Sequence, residues 1–209
     1  MNEEQARRLA LGAGWLTMLG VAFALAPDPN DGLDGARVAA WLRFDGPPAS
    51  VAMFNTLGVW PLVYGAVLLK DETERVPAWP FVALSFVGGG YLLFPYFFLV
   101  RRWGEPARHE LGRFSRVWTG PGFGIGLSVV MAALIVYGVG WGSLSAHLSL
   151  ATRSGLVSAM TVDFVGFTLM WWPLWLDDVR RHPRSSPGAC VLGAIPVIGA
   201  PLWLVFRRR

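Results

Sequence analysis

The sequence predicts an all-α membrane protein in which six helices cross the bilayer. Apolar residues make up 54% of the 209 residues and charged residues only 15%, whereas a typical soluble domain carries about 25% charged residues. Mostly apolar runs, each close to the roughly 20 residues that cross a bilayer, recur six times, and most charges fall between them. The composition excludes a disordered chain, a disulfide scaffold and most soluble enzymes, and the length fits a single membrane domain over 1–209.

The six apolar runs define the expected helices in chain order. They cover residues 9–26, 50–69, 78–100, 122–141, 155–176 and 188–206. The first run resembles a signal peptide because Arg7 and Arg8 precede it, but Pro27 follows it directly. We therefore expect this run to be retained as a membrane helix. Between the first two runs, a short amphipathic stretch over 36–44 is expected to lie in the membrane interface.

Arginine and tryptophan concentrate near the ends of the runs. Of the 18 basic residues 17 are arginine, and the tryptophans at run ends are Trp79, Trp103, Trp118, Trp141, Trp175 and Trp203. Both residue types suit the headgroup level, so we expect membrane lipids as partners and no nucleic acid. If all six runs cross, the basic residues divide eight to ten between the two sides. This small excess favours both termini outside and leaves the orientation open.

Two pairs of runs share sequence markers that suggest an internal repeat. Residues 56–62 and 168–174 are identical at five of seven positions. In addition, Pro95 and Pro201 each precede an Arg-Arg pair by six residues. The markers predict two three-helix halves, 9–119 and 120–209. Because three crossings are an odd number, the halves would be inverted, as in many secondary transporters. The alternative is that proline-containing helices ending in arginine are common in membrane proteins.

Asp163 is the clearest charged residue inside a run. A charge within the bilayer costs about 2.5–3.5 kcal/mol even on insertion scales, which makes it a functional candidate. Its helical neighbours offer no cationic partner, and Asn55 in the second run is the expected companion. Two interpretations stay open: a hydrogen bond between helices without chemistry, or a ligand or proton site in which Asp163 is also the candidate catalytic residue.

The glycine run Gly88–Gly90 lies in the middle of the third run, ahead of several bulky aromatic residues. Glycines let helices approach closely, and here they would also leave an apolar cleft for a flat hydrophobic ligand. The expected ligand-binding residues are Asn55, Trp60, Gly89, Asp163 and Trp172.

Other residue patterns carry weaker predictions. Asp177 and Asp178 are metal candidates, although a solvated helix end neutralised by nearby arginines is the favoured interpretation. The aspartates at 28, 31 and 34 lack the later glutamate of a calcium loop. His147 has serines nearby but no nucleophile motif, which disfavours hydrolysis. The single cysteine, Cys190, lies in an apolar stretch and is expected to be inert. We expect no cofactor and no structural metal.

Segments 54–62, 76–81 and 93–96 resemble a group of small, mostly uncharacterised multi-pass membrane proteins of cyanobacteria, plastids and other bacteria. The last quarter of the chain is loosely similar to neoxanthin-synthase-like membrane proteins of carotenoid metabolism. Neither resemblance transfers a catalytic residue. We expect an integral protein of a bacterial inner membrane that binds an isoprenoid, a pigment or a lipid, with a homo-oligomer compatible with the sequence. The alternatives are a small transporter with inverted halves and an isoprenoid-modifying enzyme.

Overall fold

The computed structural model describes residues 2–24, 27, 35–69, 76–104, 117–181, 183 and 185–207, and these are entirely helical or irregular. The helices are α1 (Glu3–Leu19), continued by a π-helix (Gly20–Ala24), α2 (Gly35–Leu42), α3 (Pro48–Leu68), α4 (Trp79–Leu93), α5 (Pro95–Leu99), α6 (Pro121–Gly140), α7 (Leu144–Ala151), α8 (Gly155–Arg181), α9 (Pro187–Ala194) and α10 (Gly199–Phe206). The aspartates at 28, 31 and 34 lie outside the described residues.

Four helical segments are long and apolar enough to cross a membrane: Pro48–Leu68, Trp79–Leu99, Pro121–Gly140 and Gly155–Arg181. They correspond to four of the six predicted runs, so the all-α class is confirmed among the described residues, and the apolar helices are compatible with a membrane protein. The count of six spans is not confirmed. The first run is helical from residue 3 to residue 24 as α1 and the π-helix, and the last run is divided between α9 and α10.

Helices α3 and α8 form the centre of the molecule and run in the same direction. Near their N-termini, Ser50 of α3 and Thr161 of α8 both contact His147, at 2.9 and 3.0 Å. Near their C-termini, the Arg207 guanidinium reaches the Ala66 carbonyl of α3 and Asp178 of α8, both at 3.0 Å. These helices carry the two copies of the 56–62 and 168–174 marker, so the copies lie parallel, and the inverted arrangement predicted for the halves is not the one observed.

The third run does not continue straight through the structure but folds back at Gly89. Gly89 has φ 57° and ψ −148°, a conformation that glycine adopts without a steric penalty. The rings of Phe81 and Tyr96 are 5.4 Å apart, although 15 helical residues would separate them by about 22 Å along a straight axis. Val82 packs beside Gly65 near the C-terminus of α3. The segment 79–99 is therefore a helical hairpin that enters and leaves at one end of the bundle, and we call it the first hairpin.

The sixth predicted run is a second helical hairpin, made of α9 and α10. Its turn at 195–198 contains Pro196, which has no backbone N–H, and Val197, which has φ 65°. At the turn, the Trp171 indole donates to the Gly193 carbonyl at 2.9 Å. At the end of α10, Arg207 contacts Asp178, seven residues further along α8. The chain thus returns to the end of α8 from which it entered, and the prediction of one continuous helix over 188–206 is wrong.

The bundle has two ends, which we name after their chemistry. The arginine face contains Arg8, Arg101, Arg181 and Arg207, and both hairpins enter from it. The opposite face contains α2, α7 and the N-termini of α3 and α8. Helices α1, α3, α6 and α8 connect the faces: α1 starts where Arg8 donates to the Arg101 carbonyl, and α6 ends against Ala49.

A buried charge cluster fastens both hairpins to α8 at the arginine face. Asp177 is 2% exposed and pairs with Arg101 at 2.7 Å and with Arg181 at 2.9 Å. Asp178 is 3% exposed and accepts hydrogen bonds from Arg207 at 3.0 Å and from the Trp203 indole at 2.7 Å. The expected solvated helix end is therefore wrong, because the neutralising arginines come mainly from the hairpins and remove both carboxylates from solvent.

At the opposite face, His147 joins α7 to both central helices. The Thr161 hydroxyl already donates to the Val157 carbonyl at 2.7 Å, so it accepts from Nε2–H of His147. Nδ1 is then an acceptor for the Ser50 hydroxyl. The neutral imidazole satisfies both contacts, whereas the protonated ring would present a second donor to Ser50.

Removing the charge of Asp178 tests the charge cluster. Asp178→Asn leaves the Arg207 guanidinium buried without its counter-charge, and we expect a loss of about 3–5 kcal/mol in the free energy of unfolding, measured by thermal or denaturant unfolding in detergent. Glu3→Gln is the control, because the Glu3–Arg7 pair is exposed and should cost at most about 1 kcal/mol. Equal stability of the two variants would show that the buried pair does not hold the second hairpin.

Acidification should destabilise the opposite face through His147. Burial lowers the pKa of His147 from its ordinary value of about 6.5. The unfolded chain then binds the proton more readily than the folded one. The contribution of neutral His147 to the free energy of unfolding is therefore fully present above about pH 6.5 and is lost as the pH falls below it. Unfolding midpoints measured from pH 8 to pH 5 should drop more steeply for the wild type than for His147→Gln. An equal drop of the midpoint in the two proteins would contradict the assignment of a neutral His147 at this contact.

Candidate functional site

A cleft of about 600 Å³ opens between the first hairpin and the ends of α1, α2, α3 and α8 that lie toward the opposite face. Most of its lining is apolar, and the polar side chains at it are Asn55, Ser85, Tyr91 and Asp163. The apolar lining residues include Phe23, Val38, Leu42, Phe54, Leu57, Phe86, Val87, Leu156 and Met160. Such a volume and lining are typical of small-molecule sites.

Asp163 lies where the first hairpin turns and is 4% exposed. Its Oδ1 accepts a hydrogen bond of 2.8 Å from the backbone N–H of Gly90, the first residue after the break. Backbone N–H groups at the start of a helical segment lack partners within the helix, and the carboxylate supplies one of them. Oδ2 has no hydrogen-bond partner among the described residues, and Asp163 lines the cleft. The site therefore contains one acceptor oxygen that is free to contact a ligand.

Gly89 makes the close approach of Asp163 possible. A Cβ atom built on Gly89 would overlap the Asp163 carboxylate, and one on Gly90 would lie 2.9 Å from Oδ1. The hairpin turn and the buried acid are thus parts of one arrangement. The proposed hydrogen bond between helices is present, and its partner is the backbone of the turn.

Three of the five predicted ligand residues, Asn55, Gly89 and Asp163, line the cleft together. Asn55 is not hydrogen-bonded to Asp163; its amide donates to the carbonyls of Trp41 at 3.1 Å and Val51 at 2.9 Å. The amide thereby fixes α2 against α3, and the position of α2 along the wall of the cleft depends on it.

The other two predicted ligand residues, Trp60 and Trp172, do not line the cleft. Trp60 is fully buried, and its ring stacks on Phe167 with centroids 5.9 Å apart. Trp172 donates to the Ala194 carbonyl at 3.0 Å, beside the turn of the second hairpin. Both tryptophans pack helices together, although Trp60 is fully buried and Trp172 is partly exposed.

Several lining residues were not predicted. Tyr91 stands directly after the glycine run, and its hydroxyl donates to the Ala159 carbonyl at 2.8 Å. The π-helix contributes Ala22 and Phe23, and α2 contributes Val38 and Leu42. The amphipathic pattern of 36–44 did predict the short helix. Nothing in the pattern indicated which wall it would cover, because that depends on how the helices pack.

A second cavity of about 480 Å³ lies between α1 and α8 and is almost wholly apolar. Among the described residues, no group of three or more His, Cys, Asp or Glu side chains could hold a metal ion. Asp177 and Asp178, the metal candidates, instead accept hydrogen bonds from arginine and tryptophan.

Comparisons of the chain with protein-family models, with curated proteins and with solved structures give no match. The likeness to small multi-pass proteins and to neoxanthin-synthase-like proteins stays a prediction. The arguments for function therefore come from the geometry of the cleft.

Replacing Gly89 by alanine should disrupt the turn and displace Asp163. The backbone conformation alone costs an alanine about 1–3 kcal/mol, and the overlap with the carboxylate adds to it. Gly58→Ala is the matched control: Gly58 lines the same cleft from within α3, a Cβ there meets open space, and alanine should stabilise the helix by about 0.5–1 kcal/mol. Unfolding midpoints in detergent measure both, and similar midpoints would count against the described turn.

Proposed function

We propose that this protein binds an amphiphilic small molecule in the cleft, with an apolar body between the helices and a hydrogen-bond-donating end at Asp163. Isoprenoid alcohols, hydroxylated pigments and lipids with such an end belong to this class. The observation that carries the proposal is a carboxylate with one unpartnered oxygen at an otherwise apolar cleft.

The apolar walls support a ligand that arrives from the bilayer. Leu42, Phe86 and Val87 line the cleft and are 59%, 51% and 81% exposed. Exposed apolar side chains on a membrane helix face acyl chains at no cost, so the mouth of the cleft is continuous with the hydrocarbon region. A ligand dissolved in the membrane enters sideways without crossing water. This supports placing the protein in a membrane, and we assign it to a bacterial inner membrane.

The polar end of the ligand follows from the chemistry of Asp163. The Gly90 N–H donates to Oδ1, and a carboxyl oxygen without a partner accepts a hydrogen bond in the same way. A hydroxyl or ammonium group on the ligand satisfies Oδ2, and a hydrocarbon without such a group leaves it unpaired. Because unpaired polar groups in a dry site are costly, the cleft discriminates between the two.

An isoprenoid-modifying enzyme with Asp163 as acid or base is the second candidate. The same carboxyl group favours it, because Asp163 lines the cleft in which the ligand is proposed to bind. A transporter with inverted halves has less support, since α3 and α8 run in parallel.

We also infer that the two halves arose by duplication in parallel orientation. Each half has a helix that leaves the arginine face, a short helix at the opposite face, a central helix that returns, and a hairpin that ends in arginine. The order and direction of these four parts support the repeat that the sequence markers predicted. They do not support opposite orientations of the two halves.

Binding of a C20 prenyl alcohol and of the matching hydrocarbon tests the proposal. In detergent, we expect the wild type to prefer the alcohol by roughly tenfold, the difference that one hydrogen bond to Oδ2 supplies. Asp163→Asn keeps an oxygen for the contact to Gly90 but replaces the acceptor Oδ2 by an amide group, and should weaken alcohol binding roughly fivefold to tenfold while hydrocarbon binding stays unchanged. Equal binding of both compounds to the wild type would exclude the polar contact.

Gly58→Phe is the companion variant, because its side chain projects into open space at the cleft without touching Asp163. It should abolish binding of both compounds in a folded protein, as judged by an unchanged unfolding midpoint. Retained binding would place the ligand elsewhere. If Asp163→Asn binds the alcohol well but loses turnover of it, the enzyme replaces the binding protein as the leading function.

A further inference from the structure

The basic residues divide unequally between the two faces of the bundle. Among the described residues, seven arginines lie at the arginine face, namely Arg7, Arg8, Arg101, Arg102, Arg180, Arg181 and Arg207. Three lie at the opposite face, namely Arg37, Arg43 and Arg153. The division among the described residues is therefore seven to three.

The hairpins are the reason for this division. In an arrangement of six straight crossings, the basic residues distribute almost equally and predict no orientation. Because each hairpin returns to the face from which it entered, the chain on both sides of it belongs to the same face. With four helices that connect the faces and two hairpins that do not, the basic residues are no longer divided equally between the two sides.

We propose that the arginine face lies on the cytoplasmic side of the membrane, against the anionic headgroups of that leaflet. Short cytoplasmic segments of membrane proteins carry the excess of Lys and Arg, and among the described residues the arginine face has seven arginines against three. Asn2 and Arg207 then lie on the cytoplasmic side. The weak preference of the sequence count for termini outside is reversed.

Two of the acidic residues at the arginine face are buried, whereas Glu3 and Glu4 are exposed and pair with Arg7 and Arg8. Asp177 and Asp178 are neutralised internally by arginines, so they do not oppose an anionic surface. Arg180 is exposed on the last turn of α8 and adds positive charge next to the cluster. Polybasic segments beside a membrane helix attract anionic headgroups, and this attraction weakens with salt.

The orientation also assigns a leaflet to the cleft, a point that rests on the proposed function. The cleft lies beside α2 and the N-terminus of α8, toward the opposite face. A ligand with its polar end at Asp163 then enters from the outer, non-cytoplasmic leaflet.

Cysteine labelling in intact bacterial cells tests the orientation without a ligand. In a Cys190→Ala background, which removes the only cysteine, single cysteines are introduced at exposed sites of each face. Gln5→Cys and Pro183→Cys report the arginine face, and Asp45→Cys and Ser149→Cys report the opposite face. A membrane-impermeant maleimide should label the second pair at least tenfold more than the first, and the first pair should label only after the cells are opened. Reversed or equal labelling would overturn the orientation.

The headgroup contact has a separate readout. In nanodiscs, the wild type should unfold at a higher temperature in phosphatidylglycerol than in phosphatidylcholine, and Arg180→Gln should reduce that difference by roughly 2–4 °C. Arg153→Gln, an exposed arginine of the opposite face, is the matched control and should leave the difference unchanged. No difference between the lipids, or equal effects of the two variants, would exclude the contact. Loss of ligand binding with the expected labelling would reject the proposed function alone.

Discussion

Two adjacent carboxylates at the end of α8 govern the architecture of this protein. Removing an unpaired carboxylate or guanidinium from water costs several kcal/mol, so Asp177 and Asp178 and their arginines are tolerated inside only as pairs. Neighbouring positions on a helix point about 100° apart, and the two acids therefore address different partners. Asp177 binds the end of the first hairpin and Asp178 the end of the second. One turn of α8 thus sets where both hairpins stop.

The two hairpins are held differently at their turns, and this difference creates the site. The first turns at Gly89 against the Asp163 carboxyl group, which also lines the cleft. The second turns beside Trp171 and Trp172, whose indoles donate to its last carbonyls and fill the space with aromatic rings. Helix α8 supplies the partner in both cases. The first hairpin therefore borders a cleft that contains a carboxyl group, whereas the turn of the second hairpin is packed with aromatic rings.

The helical membrane class followed from the apolar runs, but the path of two runs did not. Run length is the same for a helix that crosses and for a hairpin that returns, and only local breakers distinguish them. The Gly88–Gly90 run is equally compatible with close helix packing, and Pro196 with a kink in a continuous helix. Asp163 was identified because an ionisable residue inside an apolar run is rare. The partner of Asp163 could not be identified from the sequence, because the Gly90 N–H becomes available only when the helix breaks. Trp60 and Trp172 show the converse: aromatic residues repeated in sequence marked helix packing, not ligand contacts.

The separation of the paired charges along the chain imposes an order on biosynthesis. Arg101 precedes its partner Asp177 by 76 residues, whereas Asp178 precedes Arg207 by only 29. At roughly 5–20 residues per second, a ribosome needs on the order of 4–15 s to make the longer stretch. During that interval the first hairpin has emerged with its arginine still lacking a counter-charge. The Arg101–Asp177 pair can therefore form only after α8 has been made, later than every contact within the first hairpin.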